Sequence, residues 1–154
     1  MTCQLGSASR LKLAGVHPRL VAVVERAIAL TPQDFAVTDG VRSLARQKQL
    51  VAAGKSKTMQ SMHLRQSDGF GHAVDLVPWQ DGAPRWDWTL IRPVVLAVRQ
   101  AAIELGVSLV WGSVWDRRLN DLPGDLDGLN AAIEAYKARH PGPDFLDGPH
   151  YQMA

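Results

Sequence analysis

The spacing of apolar and polar positions in the first third of the chain predicts a helix, a strand and a second helix. Residues 17–30 place apolar side chains at helical spacing, and Pro18 suits the first turn of a helix. Residues 35–40 alternate with the two-residue period of a strand and end at an Asp-Gly turn. Residues 43–54 are predicted to form a helix that Ser43 caps and a glycine ends.

The rest of the chain continues this mixture of helices and strands. Residues 72–78 are predicted to form a mostly buried strand closed by a proline. Residues 87–106 are the longest predicted helix, in which Pro93 is tolerated only within the early turns or as a kink. Further predicted segments are a strand at 107–112, a loop at 120–128, a helix at 129–140 and a short strand at 148–154. Because helices and strands do not repeat as βαβ units, the pattern favours an α+β fold over a doubly wound parallel sheet.

The composition is that of a folded protein with one domain, spanning residues 1–154. The 154 residues are 46% hydrophobic and 21% charged, which is enough to bury a core without cross-links. The formal net charge of +2 is too small to identify a partner, and no basic stripe interleaved with aromatic residues indicates a nucleic-acid binder. Cys3 is the one cysteine, which excludes an internal disulfide and a thiolate metal site.

The sequence has no predicted targeting or membrane segment. Residues 1–15 lack the long apolar core of a cleavable signal peptide. No stretch approaches the ~18 consecutive apolar residues of a membrane span. We therefore expect no membrane insertion, and delivery by another factor if the target lies outside the cytoplasm.

The five histidines are the first candidates for metal ligands. His17 begins a predicted helix and His140 ends one, so both are expected to be capping or surface residues. His72 and Asp75 lie three residues apart on a predicted strand and should point to opposite faces, which argues against a shared metal ion. Two histidines then remain.

These two histidines and an aspartate offer the ligands of a catalytic zinc. His63, Asp75 and His150 would supply two imidazoles and a carboxylate, and would leave a fourth position open for water. A bend at residues 148–149 lets Asp147 face the same cleft, where it could act as a general base. Taken singly, Asp75 could equally be a hydrogen-bonded structural residue and His63 a surface loop residue.

Two motifs resemble those of the zinc peptidases that include VanY-type D,D-carboxypeptidases and phage L-alanyl-D-glutamate endopeptidases. The segment SMHLRQSDGFGHAVDL is similar to their pattern SxHxxGxAxD. The segment DGPHYQ resembles their closing motif, in which an acidic residue precedes the last histidine by three. The fixed positions of the first motif are occupied by Ser61, His63, Gly71, Ala73 and Asp75.

The resemblance implies a fold, a metal and a mechanism. The expected fold is α+β, with a small antiparallel sheet and flanking helices, of the Hedgehog and D-Ala-D-Ala-peptidase type. One Zn²⁺ per chain is expected on the two histidines and the aspartate, with Asp147 as the base. The segment TDGVRSLARQ is similar to the one that carries the family's substrate-facing arginine, here Arg42. This arginine would hold the substrate carbonyl or stabilise an oxyanion. The alternative role for Arg42 is a salt bridge at the protein surface.

Four more residues are assigned by their place in or near these motifs. Ser61 is expected to contact substrate. Trp111 and Trp115 could line the cleft or belong to the core. Gln152 stands where relatives often have glutamate, and as a neutral group it could still orient His150.

One departure from the family pattern is the spacing between the first two ligands. His63 and Asp75 enclose eleven residues, whereas the motif encloses six. The extra residues, within 65–70, are expected to loop out as an exposed, mobile segment at the cleft rim. The sequence leaves open whether Asp68 or His72 reaches the metal site.

The function implied by the resemblance is hydrolysis of the peptide stems of bacterial peptidoglycan by a zinc metallopeptidase. An L-alanyl-D-glutamate peptidase of the phage endolysin branch is favoured, a bacteriolytic monomer made in the host cytoplasm. It would reach the cell wall or periplasm through a holin lesion. Two alternatives remain open: a D,D-carboxypeptidase that trims terminal D-alanine with the same metal centre, and a catalytically silent zinc-binding module.

Overall fold

The computed structural model describes residues 2–142 and 146–154. Within them, the helices are α1 (Ser7–Lys12), α2 (Pro18–Leu30), α3 (Leu44–Ala52), α4 (Trp88–Leu105) and α5 (Leu126–Arg139). The strands are β1 (Phe35–Asp39), β2 (Ala73–Gln80), β3 (Ala83–Pro84), β4 (Leu109–Trp111), β5 (Val114–Arg118) and β6 (His150–Met153).

The strands form one small antiparallel sheet. Their order is β1-β2-β6-β4-β5, and the short strand β3 pairs with the end of β2. On β2, Val74 and Leu76 are buried in the hydrophobic core. Asp75 lies between them and therefore points to the opposite face of the sheet. The strand that carries a predicted ligand thus separates the core from the candidate site.

The core is built on the sheet by α2 and α4, which pack against each other. The buried residues of α2 are Leu20, Val23, Val24, Ala27 and Ile28, the face that its apolar spacing predicted. The α+β architecture, with a small antiparallel sheet and flanking helices, is confirmed. No helix in the described residues is long and apolar enough to cross a membrane.

Local hydrogen bonds explain where two helices begin and where a third ends. The His17 ring accepts a hydrogen bond from the Arg19 N–H at Nδ1 (3.1 Å), which confirms its capping role at α2. The Ser43 hydroxyl caps α3 by accepting from the Arg46 N–H (3.0 Å). His140 ends α5, as expected, with its Nδ1 2.9 Å from the carbonyl oxygen of Tyr136.

The differences from the predicted elements lie mainly at element ends. Helix α5 begins at Leu126 and not at 129, because the Asp125 carboxylate accepts a hydrogen bond from the Gly128 N–H (2.6 Å). Strand β2 continues two residues past Pro78, because β3 pairs with its last two residues. The short helix α1 and the strands β3 and β5 were not predicted.

Candidate metal centre and active site

Three side chains meet where β2, β6 and the loop before β2 come together. The antiparallel register places Asp75 on β2 directly opposite His150 on β6. His63 approaches from the loop between α3 and β2, where its carbonyl oxygen accepts a hydrogen bond from the Arg42 N–H (2.8 Å). Backbone pairing therefore gathers residues that are far apart in the sequence.

The atoms that face one another are suited to a metal ion. His63 Nε2 lies 3.2 Å and His150 Nδ1 lies 3.3 Å from Asp75 Oδ1. The three ligand atoms all lie within 4.8 Å of one another. The histidine side chains are 2% and 8% exposed and that of Asp75 is 21% exposed, so the two imidazoles are buried and the carboxylate is partly accessible. This group could bind a metal ion.

Hydrogen bonds behind the two imidazoles determine which nitrogens are free. His63 Nδ1 lies 2.8 Å from the carbonyl oxygen of Gly40, which can only accept, so Nδ1 carries the hydrogen. His150 Nε2 donates to Gln152 Oε1 at 2.9 Å. In these tautomers the remaining nitrogens direct their lone pairs at a carboxylate oxygen of Asp75, and a cation bound between them would stabilise the arrangement. The donor set therefore fits a metal ion, and Gln152 contacts the His150 ring.

Without a metal, the electrostatics of the group also favour positive charge. Burial raises the pKa of Asp75, but hydrogen bonds with His150 and His63 outweigh burial and hold the pKa below its usual range. Burial lowers the pKa of His150, yet interaction with the Asp75 carboxylate raises it by more, so the net pKa lies above that of a free histidine. The Asp75 carboxylate therefore stays ionised. It attracts positive charge, which either a protonated imidazole or a bound metal ion can supply.

Asp147 is held beside this group by two close backbone contacts. Its N–H donates to the Gly112 carbonyl oxygen (2.7 Å), and the His150 N–H donates to the Asp147 carbonyl oxygen (3.1 Å). A Cβ atom at position 112 would lie 2.3 Å from that same oxygen, so the approach requires glycine. Burial, and then the negative charge of Asp75, raise the pKa of the Asp147 carboxyl. A carboxyl group with a raised pKa beside candidate ligands is suited to proton transfer.

Arg42 lies at the edge of the group, with its guanidinium held by other side chains. Its Nε donates to Asp39 Oδ2 at 3.0 Å, and its Nη2 contacts the same oxygen. Its Nη1 donates to Gln47 Oε1 at 2.8 Å. Nη2 also lies 4.0 Å from Asp75 Oδ2, and the side chain is 11% exposed. The salt bridge considered from the sequence exists, but it is built into the wall of the site.

A cleft of about 530 Å³ opens above the ligand group. The described residues that line it include Ser61 and Trp115. The Ser61 hydroxyl accepts a hydrogen bond from the His63 N–H (3.1 Å), so it also holds a candidate ligand. The Trp115 ring lies against the His150 ring, with centroids 5.2 Å apart. Both residues therefore line the cleft beside the candidate ligands.

Trp111 is a core residue and does not line the cleft. It is 0% exposed, and its Nε1 donates to the Gly148 carbonyl oxygen (2.7 Å). Its ring packs edge-on against Trp88. The structure contradicts the substrate-binding alternative for Trp111, because β4 turns the side chain into the core, where it supports the bend before His150.

The segment 64–70 lies away from the cleft, which corrects the expectation that it forms the rim. None of its residues is among the described residues that line the cleft. The segment is largely exposed, as predicted. Its own hydrogen bonds close it into a turn: the Gly69 N–H donates to the Gln66 carbonyl oxygen, and the Gln66 N–H donates to that of Phe70, both at 2.9 Å.

Asp68 and His72 contact each other and not the ligand group. His72 Nε2 lies 2.7 Å from Asp68 Oδ2. The His72 and Phe70 rings lie beside the ring of His17, at centroid distances of 5.4 and 5.5 Å. The extra residues therefore pack at the start of α2, and the structure places neither Asp68 nor His72 in the metal group.

Gln47 is a residue of the site that sequence analysis missed. It is 0% exposed, and besides accepting from Arg42 its Nε2 donates to Ser56 Oγ (2.8 Å) and to the Thr58 carbonyl oxygen (2.5 Å). The one sequence signal is its place on the same helical face as Leu50, three residues later. A polar residue on that face could have been recognised as a buried hydrogen-bonding group.

Fold and site together define a small α+β protein with a candidate metal centre at the foot of a cleft. The profile of the phage L-alanyl-D-glutamate peptidase family matches residues 1–128, and the chain belongs to this family. The L-alanyl-D-glutamate peptidase of Escherichia phage T5 is 34% identical over 120 residues, which are 75% of this chain and 84% of that protein. The crystal structure of the Serratia marcescens L-Ala D-Glu endopeptidase ChiX matches with a TM-score of 0.71 and 34% identity, over 98% of this chain and 90% of that one.

Proposed function

We propose that the protein is a metal-dependent peptidase that hydrolyses the L-alanyl–D-glutamate bond in the peptide stems of bacterial peptidoglycan. The observation that carries the proposal is the convergence of His63 Nε2, Asp75 Oδ1 and His150 Nδ1 at the foot of a cleft. Family membership supports the choice of substrate, since both relatives are named for this bond.

Zinc is the metal that this donor set suits, with one ion per chain. Two imidazole nitrogens and one carboxylate are common ligands of catalytic zinc and leave a position for water. Bound there, the metal would polarise the scissile carbonyl and favour water ionisation near neutral pH. The contacts of His63 with Gly40 and of His150 with Gln152 hold both rings in the tautomers that leave the ligand nitrogens free.

Asp147 is the proposed general base. Its carboxylate takes a proton from the attacking water and returns it to the amide nitrogen of the departing D-glutamate. Burial and the charge of Asp75 raise its pKa, which makes it a stronger base than an exposed aspartate. The carboxyl group can then release the proton to the leaving nitrogen.

Arg42 is the proposed partner of the substrate carbonyl. Negative charge develops on that oxygen as water attacks, and a fixed positive charge stabilises it. The contacts with Asp39 and Gln47 hold the guanidinium in place before substrate arrives. Ser61 and Trp115 line the cleft and are assigned to contacts with the peptide stem.

The proposed place of action is the bacterial cell wall. As a member of a phage peptidase family, the protein would be made in the host cytoplasm and reach peptidoglycan through a holin lesion. We propose that it acts as a monomer on the peptide stems, with no nucleic-acid partner.

Mass spectrometry of digested peptidoglycan tests this function. The protein should release stems that begin with D-glutamate, a chelator should stop the reaction, and added Zn²⁺ should restore it. Asp147→Asn is the matched control for contaminating activity. Release of terminal D-alanine alone would assign a D,D-carboxypeptidase instead. Zinc binding without any new product would indicate a silent zinc-binding module.

A further inference from the structure

The basic and acidic residues that line the cleft come from different segments of the chain. The basic residues among its described lining are Arg42, Lys55 and Lys57, contributed by the region of α3 and the segment after it. The acidic residues of the described lining are Asp75 and Asp147, which belong to the ligand group and its neighbour. Two lysines therefore line the same cleft as the candidate ligands.

We propose that Lys55 and Lys57 form a carboxylate-binding subsite for the residue on the nitrogen side of the scissile bond. This inference rests on the proposed function and assigns the specificity of the same cleft. It also sets the direction in which the peptide stem lies across the metal group.

The chemistry of the substrate explains why a carboxylate is the group recognised. Glutamate has two carboxyl groups, and a peptide that continues beyond it uses only one of them. The other remains ionised, a few bonds from the amide nitrogen that is cleaved. Alanine, on the carbonyl side, offers only a methyl group. Matching the charge of substrate and cleft assigns the glutamate side of the scissile bond to Lys55 and Lys57.

The segment that carries the lysines is tied back to the end of α3. Gly54 adopts a left-handed conformation with φ of 73°, which turns the chain as the helix ends. The N–H groups of Lys55 and Ser56 then donate to the Leu50 carbonyl oxygen at 2.9 and 3.2 Å. The backbone that bears the two lysines is thus held by the helix and is not a free loop.

Gln47 also holds the segment that carries the two lysines. Its buried Nε2 donates to Ser56 Oγ and to the Thr58 carbonyl oxygen, the residues on either side of Lys57. Its Oε1 accepts from Arg42 Nη1. One fully buried side chain therefore joins the arginine beside the ligand group to the segment that carries the lysines, and keeps these positive charges in one wall.

The expected contribution of the subsite is modest. Both lysines are exposed, so water and salt screen their charge. Exposed ion pairs contribute little individually, and we expect about a 3- to 10-fold preference for a substrate with the free carboxylate. The preference should decrease as the salt concentration rises.

Two synthetic stem peptides test the proposal. They are identical except that the free carboxyl group of glutamate is an acid in one and a primary amide in the other. The full chain loaded with Zn²⁺ should cleave the acid with the higher kcat/KM. Lys55→Gln/Lys57→Gln should lose most of this preference through a higher KM for the acid peptide, and Lys55→Arg/Lys57→Arg should keep it. Lys48→Gln, an exposed α3 residue outside the described cleft lining, is the matched control for loss of charge.

The outcomes separate this subsite from the proposed function. Retention of the full preference by the double glutamine variant would overturn the subsite, and so would an equal loss of rate on both peptides. Cleavage of neither peptide by the unmodified protein would overturn the proposed function instead. Circular dichroism and zinc content should match those of the unmodified protein in every variant, because the substituted side chains are exposed.

Discussion

Asp75 and His150 stand directly opposite each other on β2 and β6, with His150 Nδ1 3.3 Å from Asp75 Oδ1. Side chains of directly opposed residues lie on the same face of a sheet, so the strand register alone brings this carboxylate and imidazole together. A slip of one residue would turn one of them into the core face. The sheet therefore positions two of the three candidate ligands, and His63 joins them from the loop before β2.

Removal of either imidazole should abolish stoichiometric zinc binding. His63→Ala and His150→Ala each leave two of the three ligands, and we expect less than one zinc per chain after dialysis, measured by atomic absorption. His72→Ala is the matched control, because His72 contacts Asp68 outside the ligand group. Full zinc content in both ligand variants would show that the ligand set is wrong.

Asp147→Asn should separate metal binding from catalysis. The amide keeps the shape of the side chain but cannot accept the proton of the attacking water, so zinc content should be normal. Loss of a general base costs about 10²- to 10⁴-fold in rate, and wall-lytic activity should fall by that order. Near-normal turnover would show that Asp147 is not the base and would move the search to Asp144, which lies outside the described residues.

The same substitution should stabilise the metal-free protein in a pH-dependent way. The pKa of Asp147 is raised in the folded state, by burial first and by the charge of Asp75 second. The stability that this group contributes is therefore fully present below its unfolded pKa and is lost as pH rises through its folded pKa. Asp147→Asn cannot ionise, so it should raise Tm at about pH 7 but not at about pH 3. Thermal melts with a chelator present measure both values, and equal gains at the two pH values would contradict the prediction.

Gln47→Leu should impair the wall of the site without removing a catalytic group. It leaves Arg42 Nη1 without its Gln47 partner, while Ser56 Oγ and the Thr58 carbonyl oxygen keep only their contact with each other (3.4 Å). Loss of the partner of a largely buried group costs ~1–3 kcal/mol, and because Arg42 would be less firmly held we expect kcat/KM to fall about 10-fold. Gln47→Glu keeps an acceptor for Arg42 and should retain more activity than Gln47→Leu. Gln49→Leu, on the exposed face of α3, is the control. Equal kinetics for all three variants would exclude the positioning role.

Shortening the segment 64–70 by five residues, to the family spacing, should leave zinc content unchanged. The segment lies outside the described cleft lining, and contacts at both its ends hold the flanking backbone. On one side the Arg42 N–H donates to the His63 carbonyl oxygen (2.8 Å), and on the other the Gly71 N–H donates to that of Gly15 (3.0 Å). Loss of zinc from the shortened protein would mean that the segment supplies a ligand or maintains the position of one.

Elements with both a periodic pattern and end signals could be predicted from the sequence. Helix α2 has a continuous apolar face, a capping histidine and a proline in its first turn. Strand β5 has no such pattern, because its last residues are exposed and charged. Helix α1 has six residues and is anchored by tertiary structure, since the Ser9 hydroxyl accepts a hydrogen bond from the Val37 N–H (3.0 Å). Contacts between distant segments leave no periodic signal in one sequence.

The residue types of the candidate site were predictable, but part of its arrangement was not. The motif indicated His63 and His150, and the structure brings both to Asp75. The direction of the segment 64–70 depends on its packing beside His17, a contact that spacing cannot reveal. The role of Trp111 depended on which way a three-residue strand turns its side chains, which its short alternation left undecided.

Strand β6 lies between β2 and β4, although it follows every other described strand along the chain. During synthesis, β2 and β4 are made before β6. Until β6 is made, the edges of β2 and β4 that pair with it have no partner strand. Insertion of β6 between them satisfies both edges and brings His150 to Asp75 in the same event. The ligand group is therefore completed only when β6 joins the sheet. A nascent chain has no complete metal centre before that step.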